Sequence, residues 1–141
     1  IGTINLLSNE NQNILLVKTD SEGAEEWNKT FYDNLFAEGH DGKQTSDGGY
    51  VITGYVLNGT NAYDACLIKT DSQGTEEWSQ TFGGSGYEYG RSVEQTSDGG
   101  YIITGYTQSI VMGTSGNPLY EIDKLLLIKT DSQGNTVDWP E

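Results

Sequence analysis

Apolar residues in this chain come in short runs, each stopped by a cluster of Gly, Asp, Ser or Thr. Residues 101–107 (YIITGYT), 65–70 (ACLIKT) and 125–130 (LLLIKT) are near-continuous runs. Hydrophobicity without alternation predicts strands covered on both faces. Residues 91–96 (RSVEQT) and 75–82 (TEEWSQTF) are more polar, and the second carries one large aromatic, the pattern of an exposed edge strand. Ser97-Asp98-Gly99-Gly100 and Asp71-Ser72-Gln73-Gly74 separate these runs. Such residues tolerate positive φ and predict hairpin turns.

The pattern repeats. Lys-Thr-Asp occurs at Lys18, Lys69 and Lys129, spaced by 51 and then 60 residues. QTSDGGYVITGY from Gln44 returns from Gln95 with one letter changed, again 51 residues on. The third unit holds about nine extra residues within 107–124, expected as a loop. One unit reads as strands a, b, c and d, and four short antiparallel strands in about 50 residues predict a β-propeller blade. The fold class expected is therefore all-β, with three consecutive propeller-type blades in a single repeat domain, 1–141. Blade 1 is 1–35, blade 2 is 36–86 and blade 3 is 87–141. Ile1 aligns with Ile52 inside strand b, so blade 1 lacks its strand a and eleven strands are expected. A β-sandwich needs no repeat at this period, and a β-solenoid has shorter coils.

The repeated decamers KTDSEGAEEW and KTDSQGTEEW fit D-x-x-G-x-x-x-W. This resembles the tryptophan-docking motif of quinoprotein-type propellers. The resemblance implies that Asp and Gly form the turn before the outer strand and that Trp packs on the next blade. It assigns those roles to Asp20, Gly23 and Trp27, and to Asp71, Gly74 and Trp78. The third copy, Asp131, Gly134 and Trp139, places its Trp one residue late, before Pro140. The wider pattern is similar to propeller repeats of secreted bacterial and archaeal proteins of unassigned role. The resemblance implies architecture and says nothing of activity.

Closed propellers use about 4–8 blades, and three blades alone would expose large apolar faces. Two expectations follow. Either the chain, which starts at Ile1, is a piece of a longer propeller, or copies meet head to tail as a ring or filament. A neighbour's strand could also complete blade 1 by β-augmentation. Tyr87 and Tyr89 in the flexible-looking GGSGYEYG, and Ile110, Val111, Met112 and Tyr120 in the extra segment, are the candidate interface or ligand residues.

Charge and rare residues narrow the chemistry. A net charge of −14, from 21 acids against 7 bases, argues against nucleic acid and anionic membrane as partners. No apolar run is long enough to span a bilayer, and no signal-like segment opens the sequence. Cys66 is the sole cysteine, which excludes an intrachain disulfide; it aligns with Leu15 and Leu126 and reads as core. His40 is the sole histidine and aligns with Arg91, so it reads as a polar position rather than a catalytic base. Sequons at Asn28 and Asn58 are candidate glycosylation sites and favour an extracellular or cell-surface location. Asp20 with Glu25 and Glu26, and Asp71 with Glu76 and Glu77, invite Ca2+, but no D-x-D-x-D-G loop is present and turn roles explain the aspartates. Tyr55, Tyr87, Tyr89 and Tyr106 offer rings for sugar stacking.

The expected function is non-enzymatic and structural, a self-associating repeat protein without catalytic residues, metal or cofactor. The alternative is a carbohydrate- or protein-binding segment of a larger propeller. A weaker third is a fragment of a quinone-dependent enzyme.

Overall fold

The computed structural model describes residues 4–8, 13–33, 35–59, 62–84, 86–112, 114–116 and 118–137. These fold as an all-β protein in which ten strands form three antiparallel sheets. The first sheet orders β1 (Ile4–Ser8), β2 (Ile14–Thr19) and β3 (Glu25–Phe31). The second orders β4 (Ala37–Gln44), β5 (Tyr50–Leu57), β6 (Tyr63–Thr70) and β7 (Glu76–Phe82). The third orders β8 (Tyr87–Gln95), β9 (Tyr101–Met112) and β10 (Pro118–Thr130). Strands follow one another in space as in sequence, so every connection within a sheet is a hairpin.

The hairpin turns are built locally. Asp71 Oδ1 accepts the amides of Gln73 and Thr75, both at 2.8 Å, and Gly74 takes φ +76° to close the turn. Asp20 and Asp131 hold the same arrangement at Glu22 and Ala24, and at Gln133 and Asn135. An Asp side chain satisfying two amides makes the turn independent of the rest of the fold.

The second sheet is buried on both sides, which explains its unbroken apolar strands. Tyr50, Ile52 and Val56 of β5 join Cys66 and Ile68 of β6 and face the first sheet, where they meet Ile14, Leu16 and Phe31. The alternate residues, Val51, Ala65 and Leu67, face the third sheet and pack against Val93, Tyr101, Ile103 and Ile128. Thr53 lies on that second face, and its hydroxyl donates to the Cys66 carbonyl at 2.8 Å. Burial raises the Cys66 thiol to about 12, so it is an inert part of the packing.

Three local expectations need correction. The extra residues of the third unit form no loop: they extend β9 and β10 into a paired ribbon, with Tyr106 opposite Leu125 and Ile110 opposite Glu121. Tyr87 and Tyr89 belong to β8, not to a flexible connection, because that strand pairs with β9 from Tyr87 onward. The strand read as 91–96 begins four residues earlier, at Tyr87. Ten strands occur among the described residues; the expected eleventh falls after the turn at Asp131, where Thr136 forms a lone bridge with Thr130 and 138–141 lie outside the described residues. Trp139 and the residues around it lie outside the described residues, as does the side chain of Tyr120.

Equivalent leucines on the second and third sheets should respond differently to truncation. Leu67 is fully buried, whereas Leu127 is 46% exposed. Leu67→Ala is expected to cost about 3 kcal/mol, and Leu127→Ala less than about 1 kcal/mol in dilute monomer. Urea unfolding of the two variants checks this.

Candidate functional site

Each sheet offers a front face to the sheet that follows it and a back face to the one before. Ile14 and Leu16 form the front of the first sheet, and their counterparts Ala65 and Leu67 the front of the second; all four are 0% exposed. The counterparts on the third sheet are Leu125, 80% exposed, and Leu127, 46% exposed, with Ile102 half-buried beside them. At the other end, Leu15 and Val17 form the back of the first sheet and are half-buried, where Cys66 and Ile68 of the second sheet are fully buried. The protein thus carries two completed interfaces and one open face at each end.

Tryptophans mark the rim of both completed interfaces. Trp27 of β3 meets Tyr50 of the second sheet edge-on at 5.6 Å, and Trp78 of β7 meets Tyr101 of the third at 5.8 Å. The indoles also lie over the turn glycines of the following sheet. A Cβ at Gly74 would stand 2.6 Å from Trp27 Cζ3, and one at Gly134 would stand 2.6 Å from Trp78 Cζ3. Both turns are therefore shaped by absence of a side chain as well as by positive φ. Gly23 has φ +87° like the others, yet nothing lies within 4 Å of its Cβ position. The seat at Gly23 faces out from the back of the first sheet.

A second cluster gathers where the two middle strand pairs approach each other. Tyr89 stacks on Tyr106 at 4.7 Å, and Tyr55 meets Tyr89 edge-on at 5.0 Å. Tyr63 lies 5.7 Å from Tyr87 and 4.9 Å from Tyr55. Arg91 is exposed over the Tyr106 ring at 5.2 Å, and its Nη2 donates to the Tyr106 hydroxyl at 3.0 Å. His40 Nδ1 donates to the Gly90 carbonyl at 2.6 Å, which leaves Nε2 to accept from Arg91 Nη1 at 3.1 Å. His40 and Arg91 each occupy a bulge, where β4 and β8 slip register against their partners. Tyr55 donates its hydroxyl to Glu38 Oε2 at 2.6 Å, and its pKa is raised by burial first and by that bond second. Sequence reasoning named the tyrosines but missed that His40, Arg91 and Glu38 join them. The aligned positions of the sole His and sole Arg were the available signal.

Ion pairs tie the opposite ends of the sheets. Lys69, nearly fully buried, bridges Asp47 at 2.9 Å and Glu77 at 2.8 Å and donates to the Thr70 carbonyl. Lys129 repeats the bond to Asp98 at 2.9 Å, and Lys18 pairs with Glu26. Burial disfavours the Lys69 charge, but Glu77 and Asp47 more than offset it, and its pKa is raised. Asp47 is held well below the carboxylate range, first by the Thr45 hydroxyl, then by Lys69 and the Gly49 amide.

The remaining candidates scatter. Asn28 is exposed on β3 and its Nδ2 donates to Glu25 Oε1 at 2.6 Å. Asn58 is half-buried and its Nδ2 donates to Asp64 at 2.7 Å; Thr60 of its sequon lies outside the described residues. Met112 is 57% exposed on the ribbon, with Ile110 on the same strand at 41%. Among the described residues no group of three His, Cys, Asp or Glu is placed to hold a metal ion, and no helix is long and apolar enough to cross a membrane. The chain matches no protein-family model and no curated protein.

The Lys–Asp ties give a pH dependence of known sign. Asp47 and Asp98 have folded pKa values below the unfolded value of about 3.9. Their contribution is complete above that value and is lost as pH falls below about 4. Thermal melting should therefore drop between about pH 4 and pH 2, and a variant with Asp47→Asn and Asp98→Asn should show a flatter acid limb in circular dichroism melts.

Proposed function

We propose that this protein is a structural, non-enzymatic extracellular repeat protein whose sheets act as propeller-type blades and associate front to back. The observation that carries the reading is the exposure of Leu125 and Leu127 at positions whose counterparts, Ala65 and Leu67, are wholly buried. The two contacts already made within the protein support one kind of cover for them. The back of the second sheet fits the front of the first, and the back of the third fits the front of the second. The back of the first sheet of another copy, with Leu15, Val17 and the open seat at Gly23, is the same kind of surface. Such a contact is head to tail and gives a ring or a filament according to its rotation. The edge of β1, which among the described residues pairs only with β2, is a further place for a neighbour's strand.

Analytical ultracentrifugation tests this reading. The wild-type protein should associate with rising concentration, and a variant with Leu125→Asp and Leu127→Asp should sediment as a 15.4 kDa monomer. Gly23→Ala, which meets no side chain within the chain, should weaken association while changing the monomer's stability by only about 1 kcal/mol of backbone strain. A wild-type protein that stays monomeric at high concentration would sink the proposal.

A second reading, a site for a neutral saccharide, is favoured by the tyrosine cluster. Rings of Tyr55, Tyr89 and Tyr106 stand beside a donor, Arg91, and an acceptor, Glu38. Aromatic faces with mixed donors and acceptors suit sugar C–H faces and hydroxyls. Binding on a glycan array that is lost in Tyr106→Ala and in Arg91→Ala is the expected result, and an array without specific binding excludes it.

A further inference from the structure

We infer that a cleft between the second and third sheets is a binding site for a small phenolic molecule. The cleft has a volume of about 330 Å³, with walls from Phe82, Leu126, Ile128, Thr107 and Thr136. That is the lower end of ligand-site volumes, about 300–1,000 Å³, and suits a single ring.

The same space occurs one repeat earlier, between the first and second sheets, and there it is filled. Phe31 stands for Phe82, Cys66 for Leu126, Ile68 for Ile128, Val56 for Thr107 and Glu76 for Thr136. Tyr32 packs against the core cluster that includes Phe31, Val56, Cys66 and Ile68. It does so from φ 60°, a left-handed conformation that is strained for a bulky residue. The ring's burial sustains that strain. At the counterpart position the chain has Gly83, and a side chain there would run into the carboxylate of Asp64. Asp64 is held in place by the Asn58 amide at 2.7 Å. The second interface therefore keeps the shape of a phenol pocket but cannot supply the phenol from its own backbone.

The cleft carries a buried acceptor where the first interface has Ala37. Glu88 is 8% exposed and accepts from the Gly84 amide at 3.0 Å and the Thr107 hydroxyl at 2.8 Å. A carboxylate has lone pairs beyond those two bonds and can accept a phenolic O–H. Apolar walls with a single buried acceptor select an aromatic alcohol over a plain hydrocarbon or a sugar. The site lies within a completed interface, so it is independent of the open faces proposed for assembly.

The probe is p-cresol, the tyrosine side chain as a free molecule. In methyl-labelled protein it should give saturable shifts at Leu126 and Ile128 and none at Ile14 or Leu16. Thr136→Trp, at an exposed rim position, should weaken binding roughly tenfold or more by filling the mouth. Tyr32→Gly should open the first interface to a second cresol, with new shifts at Ile68. 4-Methylcyclohexanol, of similar length but not flat, should bind several-fold more weakly. Absence of saturable shifts at Leu126 and Ile128 overturns the inference, as does a Thr136→Trp variant that binds like wild type, or equal binding of the saturated alcohol. If Tyr32→Gly does not fold, the wild-type and Thr136→Trp titrations still decide.

Discussion

The constraint on which the structure depends is that the middle sheet has two apolar faces. In β5 and β6, odd and even residues are alike in hydrophobicity, so neither face can be left to water. Burying a Leu or Ile side chain gains about 1.5–3 kcal/mol, and a sheet with such residues on both sides forgoes half of that unless it is covered twice. The first and third sheets exist, in energetic terms, as covers. Each is itself built on the same plan, so each brings one satisfied face and one unsatisfied face. The pressure to add another layer does not disappear; it moves to the ends.

Polar chemistry follows the same economy. The ammonium of Lys69 lies at the margin of the core, and its three donors are taken by Asp47, Glu77 and the Thr70 carbonyl. A buried cation with a donor left free would be costly. The aspartates that accept these bonds also organise the turns, since Asp47 takes the Gly49 amide at 2.9 Å. Turn geometry and charge neutralisation are one feature, and it recurs at Asp98, which takes the Gly100 amide and Lys129.

Much of this was legible in the sequence wherever the information is local or repeated. Asp71 and Gly74 announce their turn because an Asx bond reaches only two to four residues. The ring contact of Trp78 with Tyr101, 23 residues away, is set by sheet stacking that no local pattern encodes. The ribbon of β9 and β10 was missed because its segment, TQSIVMGTSGNPLYEIDK, has no second copy to align with and contains Gly and Pro. Tyr87 and Tyr89 were misread because the preceding Gly-Gly-Ser-Gly suggested looseness, while cross-strand pairing with Gln108 and Tyr106 orders them. The Lys69–Asp47 tie needs the register of β5 on β6, although its recurrence as Lys129–Asp98 was a signal in plain view.

One contact links the first strands of two neighbouring sheets. Asp41 on β4 reaches across to β8, where its Oδ2 accepts the Ser92 hydroxyl at 2.8 Å and the Val93 amide at 3.0 Å. Ser92 is Asp41's own counterpart one repeat later, so equivalent positions of the second and third sheets are joined directly. Holding β4 to β8 through both a hydroxyl and an amide keeps these two sheets from sliding along their strands, because any slip would leave a carboxylate and an amide without partners.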